Sequence, residues 1–141
     1  MASVLVDTFE TTLQKTNQWL VEIMDELQMD DPHKAYLVLR SVLHALRDRL
    51  PVAEAVDFGA QLPMLIRGIY YEGWSLSGKP LKLRTKNDFF VYMCSEFGFG
   101  CDFDPELATQ AVFRVISRKI TAGEIHDIKQ NLPEALKELW P

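Results

Sequence analysis

The sequence predicts an all-α protein of about eight helices, packed as one compact domain over residues 1–141. Apolar residues recur at steps of three, four and seven, which puts them on one face of a helix. Signals for β-strands are few, because only "LKLRT" (81–85) alternates apolar and basic residues, and one short run does not make a sheet. The apolar pattern also recurs after 70 positions, which predicts two tandem four-helix repeats.

The first half divides into four predicted helices. The first covers about 4–28, and its apolar face consists of Phe9, Leu13, Leu20, Ile23, Met24 and Leu27. Pro32 ends this segment, because proline disfavours helix at the preceding residue, and it suits the first turn of a second helix over about 32–50. We expect the outer side of the second helix to carry Arg40, Arg47, Asp48 and Arg49. Two shorter helices follow Pro51 and Pro63.

The second half repeats this order, since residues 19–71 align with 89–141 without a gap. The connection 72–88 separates the two repeats. Thr85 is the predicted cap of the fifth helix and Asp88 lies in its first turn. Each unit of about 70 residues is near the lower size limit for a core of its own. We therefore predict pseudo-two-fold packing of the two units around one shared core.

The acidic residues that recur in both halves have a structural interpretation. Thr121 and Glu124 have the spacing of a capping box, in which threonine caps the helix and glutamate reaches back three residues. Glu54 occupies the same position behind Pro51, near the positive end of a helix dipole. Asp57 and Asp127 follow one turn later, and we expect them to pair with Arg49 and Lys119 or to face water. The pattern favours structure over catalysis for these acids.

Composition and charge exclude several classes of protein. With 48% hydrophobic and 25% charged residues, the chain has the material for a globular core. Its net charge of −5 argues against nucleic-acid binding, which needs a basic face. No apolar run approaches the ~20 residues of a membrane span, and the N-terminus lacks the regions of a signal peptide. We therefore expect a cytoplasmic protein with neither a membrane nor a nucleic-acid partner.

The histidines do not indicate a metal site. His33, His44 and His126 have no HxxxH or HExxH spacing. Within a helix, Glu124 and His126 point about 200° apart and cannot converge on an ion. His44 and Asp48 share a face, but that spacing is common for a surface pair. The sequence predicts no metal and no cofactor.

Catalytic motifs are also lacking. The sequence contains no GxSxG, GxGxxG or GxxxxGK[ST] pattern. Cys94 and Cys101 lie seven apart without CxxC spacing, and we interpret them as buried or unused thiols. The segment "CDFD" (101–104) lacks the further oxygen ligands of a calcium loop. We name no catalytic residue, which favours a non-enzymatic protein and leaves open only a site assembled from distant positions.

The clearest segment that the halves do not share is the connection after Tyr70. Its candidate partner-binding residues are Trp74, Lys79, Lys82, Arg84 and Lys86. Residues 79–86 carry four basic side chains and no acidic one, in a chain of net charge −5. A basic segment with neighbouring aromatic rings suits an acidic partner, a phosphate group or a second subunit. The alternative is a solvated loop whose Trp74 packs back on the core.

Two functional hypotheses follow. The first is a non-enzymatic interaction or regulatory module that binds a protein partner or forms a homodimer through this connection. The second is a small-molecule binder or enzyme with a pocket between the helical halves, since helix bundles build ligand sites from facing helices. Candidate lining residues for that pocket are His44, Tyr70 and Tyr71.

Four short signatures carry a resemblance to a known family: "RDRLP", "AQLP", "YYEGW" and the closing "LKELWP". From about Phe9 to Pro141, the chain resembles the bacterial domain-of-unknown-function 2267 family. The resemblance implies a compact all-helical domain with a repeated half. It implies no agreed activity and no catalytic residues.

Overall fold

The computed structural model describes residues 6–98 and 100–141, which form eight α-helices and one 3-10 turn in a compact domain. No strand occurs in this part of the chain. The predicted start of the first helix at residue 4 lies outside it. The helices are α1 (Asp7–Leu27), α2 (Pro32–Arg49), α3 (Val52–Ala60), α4 (Met64–Tyr71), α5 (Lys86–Cys94), α6 (Pro105–Lys119), α7 (Ala122–Gln130) and α8 (Glu134–Lys137), and the 3-10 turn is Ser95–Phe97.

The long central helices α2 and α6 contribute more buried residues than the other helices do. Helix α2 contacts α1, α3, α4, α5 and α6, and its second half is buried on nearly every side. Proline occupies the first turn of each central helix, and Asp31 and Asp104 cap the free N–H groups there. The predicted outward position of Arg47 and Asp48 is wrong, because both side chains are buried.

Helix α1 buries only part of its predicted face. Trp19 and Ile23 enter the core, but Phe9 and Leu13 are 54% and 52% exposed. The first turns of α1 meet α4 through Thr12, whose hydroxyl accepts a hydrogen bond of 2.8 Å from the Leu65 N–H. No further element of the described structure packs over Phe9 and Leu13. This part of the apolar face therefore stays exposed.

Several helix boundaries in the two halves follow the 70-residue offset, although α6 begins at Pro105, three residues after the position that corresponds to Pro32. Helices α3 and α7 begin at Val52 and Ala122, and α4 and α8 begin at Met64 and Glu134. The same local signals recur at these points, since Pro63 and Pro133 both directly precede a helix. The two-repeat arrangement itself stays a prediction.

The expectation of free thiols is wrong, because Cys94 and Cys101 form a disulfide bond. Cys94 ends α5, and the chain then makes the 3-10 turn and comes back, so that the two Cα atoms lie 5.1 Å apart. That distance is within the normal range for a disulfide. The bond closes a small loop that begins with the 3-10 turn.

The connection between the halves is held against the end of α2. The Leu81 N–H donates to the Asp48 carbonyl at 2.8 Å, and the Arg49 Nε donates to the Leu83 carbonyl at 3.0 Å. These bonds satisfy one of the last carbonyls of α2 and a carbonyl of the connection. The segment 81–84 therefore has defined partners without belonging to a sheet.

Candidate functional site

A polar pocket of about 310 Å³ lies where α2 meets the connection, α5 and the 3-10 turn. It brings together residues that are far apart in sequence and come from both halves. Its charged and titratable lining residues are Arg40, His44, Arg47, Asp48, Glu72, Lys79, Tyr92 and Glu96. We call it the junction pocket.

His44 is the buried histidine of this pocket, with only 4% of its surface exposed. Its Nδ1 contacts the Glu96 carboxylate, and its Nε2 lies 2.7 Å from the Ile69 carbonyl oxygen. Both neighbours offer an oxygen to the ring. His44 thus ties α2 to the end of α4 and to the 3-10 turn.

Arg40 lies one helical turn before His44 and contacts two carboxylates. Its Nη2 is 3.1 Å from Glu72, and its Nη1 is 3.7 Å from Glu96. The Arg40 Nε is buried and has no hydrogen-bond partner in the described part of the chain. A buried donor without a partner is uncommon in folded proteins.

Arg47 connects α2 to the end of α4. Its guanidinium donates to both oxygens of Asp48 at 2.8 and 3.1 Å, and to the carbonyls of Tyr70 and Glu72 at 2.8 and 3.0 Å. Those carbonyls lie at the C-terminus of α4, where helix carbonyls lack partners of their own. Arg47 and Asp48 are 4% and 2% exposed, so each depends on the other for its charge.

Tyr92 joins α5 to this buried pair, since its hydroxyl donates to the Asp48 carboxylate. Burial, together with the Asp48 charge, raises the pKa of Tyr92 above its ordinary value. The phenol therefore stays protonated and acts as a donor. The second half of the chain is fixed to α2 at this point by a hydrogen bond to a charged group, which is stronger than a neutral one.

The family of the chain follows from a match to the model of DUF2267, described as "Uncharacterized conserved protein", over residues 16–139. This match covers both halves and every residue of the junction pocket. The chain belongs to the DUF2267 family. No match was found among curated proteins.

The site residues expected from the sequence occupy different surroundings in this DUF2267 domain. His44 and Lys79 line the junction pocket. Tyr70 does not, because it is fully buried and its hydroxyl donates to the Ala55 carbonyl at 2.7 Å. Tyr71 is also absent from the lining, and its ring stacks on Trp74 with centroids 5.5 Å apart.

The candidate partner-binding residues of the connection do not form one continuous surface. Trp74 is half-buried and lies 6.0 Å from the Arg47 guanidinium, as in a cation–π contact. Lys86 is 3.5 Å from Glu106 and 3.4 Å from Glu138. Lys82 and Arg84 are exposed and have no ion pair among the described residues.

Sequence reasoning missed most of the junction pocket. Glu96 lies 52 positions from His44, and Glu72 lies 32 positions from Arg40. No local motif links such positions, because they meet only when separate helices pack together. In the described residues of this DUF2267 domain, no three histidine, cysteine or acidic side chains are grouped so that they could hold a metal ion. No helix among them is long and apolar enough to cross a membrane.

Proposed function

We propose that this DUF2267 domain binds a small zwitterionic molecule, of the class of free amino acids, in the junction pocket. The position of Lys79 is the main support for this proposal. Lys79 comes from the connection that the two halves do not share, and it lines the pocket beside the buried His44 and Arg47. The connection thus adds an unpaired cation to a site whose other charges are already in contact with one another.

The charges of the pocket support this class of ligand. Lys79 has no ion pair in the described structure, so its ammonium group can receive a carboxylate. Glu72 has a side chain that is 60% exposed and can receive an ammonium group. A volume of about 310 Å³ is at the small end of the range for ligand sites.

Native mass spectrometry of the gently purified protein, compared with a denatured sample, tests whether the protein retains a bound ligand. A mass excess that disappears on denaturation and does not equal a second chain supports a bound small molecule. The ligand class is tested by NMR titration with a panel of free amino acids and with the amide of each one, which keeps the ammonium group and lacks the carboxylate.

We expect Lys79→Ala to weaken amino-acid binding by about tenfold, since one charged contact is worth roughly 1.5–3 kcal/mol. Lys82→Ala is the matched control, because Lys82 is exposed and outside the pocket. A bare chain in the mass spectrum, with no amino acid that shifts the amide signals of the pocket, would contradict the proposal.

An interaction module remains a second proposal, favoured by the exposure of Lys82 and Arg84. Two neighbouring cations without ion pairs in the described structure suit an acidic surface on a protein partner or on a second copy of the chain. The double variant Lys82→Glu/Arg84→Glu should lose crosslinked complexes that the wild-type protein forms in its native cells. Equal yields from both proteins would exclude this surface. A cytoplasmic location also stays a prediction, which cell fractionation tests.

A further inference from the structure

A second large pocket of the described structure lies outside the junction pocket. It has a volume of about 590 Å³ and lies between α1, the turn from α3 to α4, and the end of α6. Its cationic lining residues are Lys15, Arg67 and Lys119, and no aspartate or glutamate lines it. Three convergent cations are notable in a chain whose net charge is −5. We call this cavity the cationic pocket.

Arg67 is held in this pocket by neutral groups. Its Nε donates to the Gly59 carbonyl at 3.0 Å, and its Nη2 donates to the carbonyls of Ala60 and Leu62 at 3.3 and 2.8 Å. These carbonyls lie at the end of α3, where helix carbonyls lack intrahelical partners. The bonds fix the guanidinium but leave its positive charge without a carboxylate, and its Nη1 has no protein partner in the described residues.

The other two cations differ in how far they are neutralised. Lys15 is exposed and forms no ion pair in the described residues. Lys119 contacts the Glu22 carboxylate at the edge of the pocket. Glu22 also contacts Arg118, at 3.4 Å, and Arg118 contacts Glu26 as well. The pocket keeps an excess of positive charge because Lys15 and Arg67 have no carboxylate partner in the described residues.

The remaining walls combine amide and apolar groups. Gln18 and Gln61 supply side-chain amides, while Trp19, Leu62 and Met64 supply apolar surface. The lining includes the first residue of α4, where the helix dipole adds positive potential. Such walls suit a ligand with one strongly anionic group and a small apolar body.

Lys15 is the cation of this pocket without a counterpart in the second half. At the positions 70 residues away, Thr85 stands for Lys15, whereas Lys137 stands for Arg67 and Arg49 stands for Lys119. Lys15 also has no ion pair in the described residues, so nothing in the described structure gives it a role in the packing of the helices.

We infer that the cationic pocket is a binding site for a small organic phosphate. A phosphate monoester carries close to two negative charges at neutral pH. Arginine and lysine donate charge-assisted hydrogen bonds to its oxygens. Its organic part lies against Trp19, Leu62 and Met64. The site is separate from the junction pocket and independent of the ligand proposed there.

Phenyl phosphate is the probe. Phenol and inorganic phosphate are the controls, because each contains one of the two parts of the probe. Binding is followed by NMR through the side-chain amide signals of Gln18 and Gln61 and the backbone signals of the pocket. Phenyl phosphate should bind more tightly than phenol or inorganic phosphate. Lys15→Gln and Lys119→Gln should each weaken its binding by about tenfold and leave phenol unchanged.

Lys129→Gln is the matched control, because Lys129 lies on α7 outside the pocket. Lys79→Ala should bind phenyl phosphate as the wild type does, which separates this site from the junction pocket. Circular dichroism confirms that each variant is folded, and the exposed Lys15 keeps the test valid if Lys119→Gln unfolds. Equal weakening in Lys129→Gln, or no binding of phenyl phosphate to the wild type, would overturn the inference.

Discussion

The side chains of Glu54 and Glu124 face one another between α3 and α7. One carboxylate oxygen of each is buried and has no hydrogen-bond partner in the described structure. Burial, followed by the charge of Glu124, raises the pKa of Glu54 to about 7, and the charges of Asp127 and Asp57 add to this shift. A protonated Glu54 removes the repulsion between the two carboxyl groups.

This pair predicts that stability falls as pH rises through the range of about 4.5–7. In that range the folded state binds more protons than the unfolded state, because Glu54 is protonated in the folded state and ionised in the unfolded state. Its stabilising effect is complete below about pH 4.5 and lost above about pH 7. Urea unfolding of the wild type and of Glu54→Gln at several pH values measures how the free energy of unfolding changes with pH. The variant should lose the part of this pH dependence that Glu54 causes.

Glu10→Gln is the control for the pH experiment, because Glu10 is exposed on the first turn of α1. It should keep the wild-type slope between pH 4.5 and 7. If Glu54→Gln has the same slope as Glu10→Gln, Glu54 is not protonated in the folded state over this range.

Arg47→Met should lower the free energy of unfolding by roughly 3–5 kcal/mol. The substitution leaves the buried Asp48 carboxylate without its cation and two carbonyls of α4 without their donor. Arg49→Met is the control, because Arg49 gives up only one bond, to the Leu83 carbonyl, at about 1 kcal/mol.

The double variant Arg47→Met/Asp48→Asn separates charge from packing. Asparagine carries no charge and still accepts from Tyr92, so the double variant should be more stable than Arg47→Met alone. Urea unfolding measures all of these variants. If the double variant is the less stable of the two, the uncompensated Asp48 charge is not the main cause of the loss.

Gly59→Ala should destabilise the protein by about 1–3 kcal/mol. A Cβ at this position would overlap the Tyr71 hydroxyl and lie 2.7 Å from its Cζ, and 3.0 Å from Cε2 of Tyr70. The ring of Tyr71 is stacked on Trp74 and has little freedom to move. Thermal unfolding followed by circular dichroism measures the loss.

Gly68→Ala is the matched substitution, on α4, where an added Cβ meets no atom within 4 Å. It should stabilise the protein by about 0.5–1 kcal/mol, because alanine loses less backbone entropy than glycine on folding. A Gly59→Ala variant as stable as Gly68→Ala would mean that Tyr71 moves aside without cost.

Loss of the Cys94–Cys101 disulfide should lower stability by roughly 2 kcal/mol, the value for a short loop. The closed loop begins with the 3-10 turn that carries Glu96, so the contact of Glu96 with His44 and Arg40 should loosen as well. Hydrogen exchange of the backbone amides at 95–98 measures this in Cys94→Ser/Cys101→Ser. A reducing agent should reproduce the effect in the wild type and have none in the variant. Unchanged exchange in the variant would mean that the turn is held by its other contacts.

Part of the candidate site was predicted from the sequence. His44 was a pocket candidate and Lys79 belonged to the connection that the halves do not share, and both line the junction pocket. Their partners were not predicted, because Glu96 reaches His44 only after the two halves meet, and Glu72 reaches Arg40 only after α4 packs against α2. The grouping of Lys15, Arg67 and Lys119 was not predicted either, since no two of them are close in sequence.

The sequence by itself determined the helices, most of their ends and the composition of the core. Periodic apolar residues and caps act over three or four positions, so a local pattern contains the necessary information. Thr85 and Asp88, for example, form the capping box at the start of α5.

Only the tertiary structure decided which side chains are covered. Phe9 and Leu13 fit the apolar face of α1 but remain exposed, since covering a face depends on helices far away in sequence. Arg47 and Asp48 look like surface residues but are buried, because the end of α4 brings carbonyls that need a donor. The disulfide and both pockets depend in the same way on distant segments, whose meeting depends on the whole core and not on any local pattern.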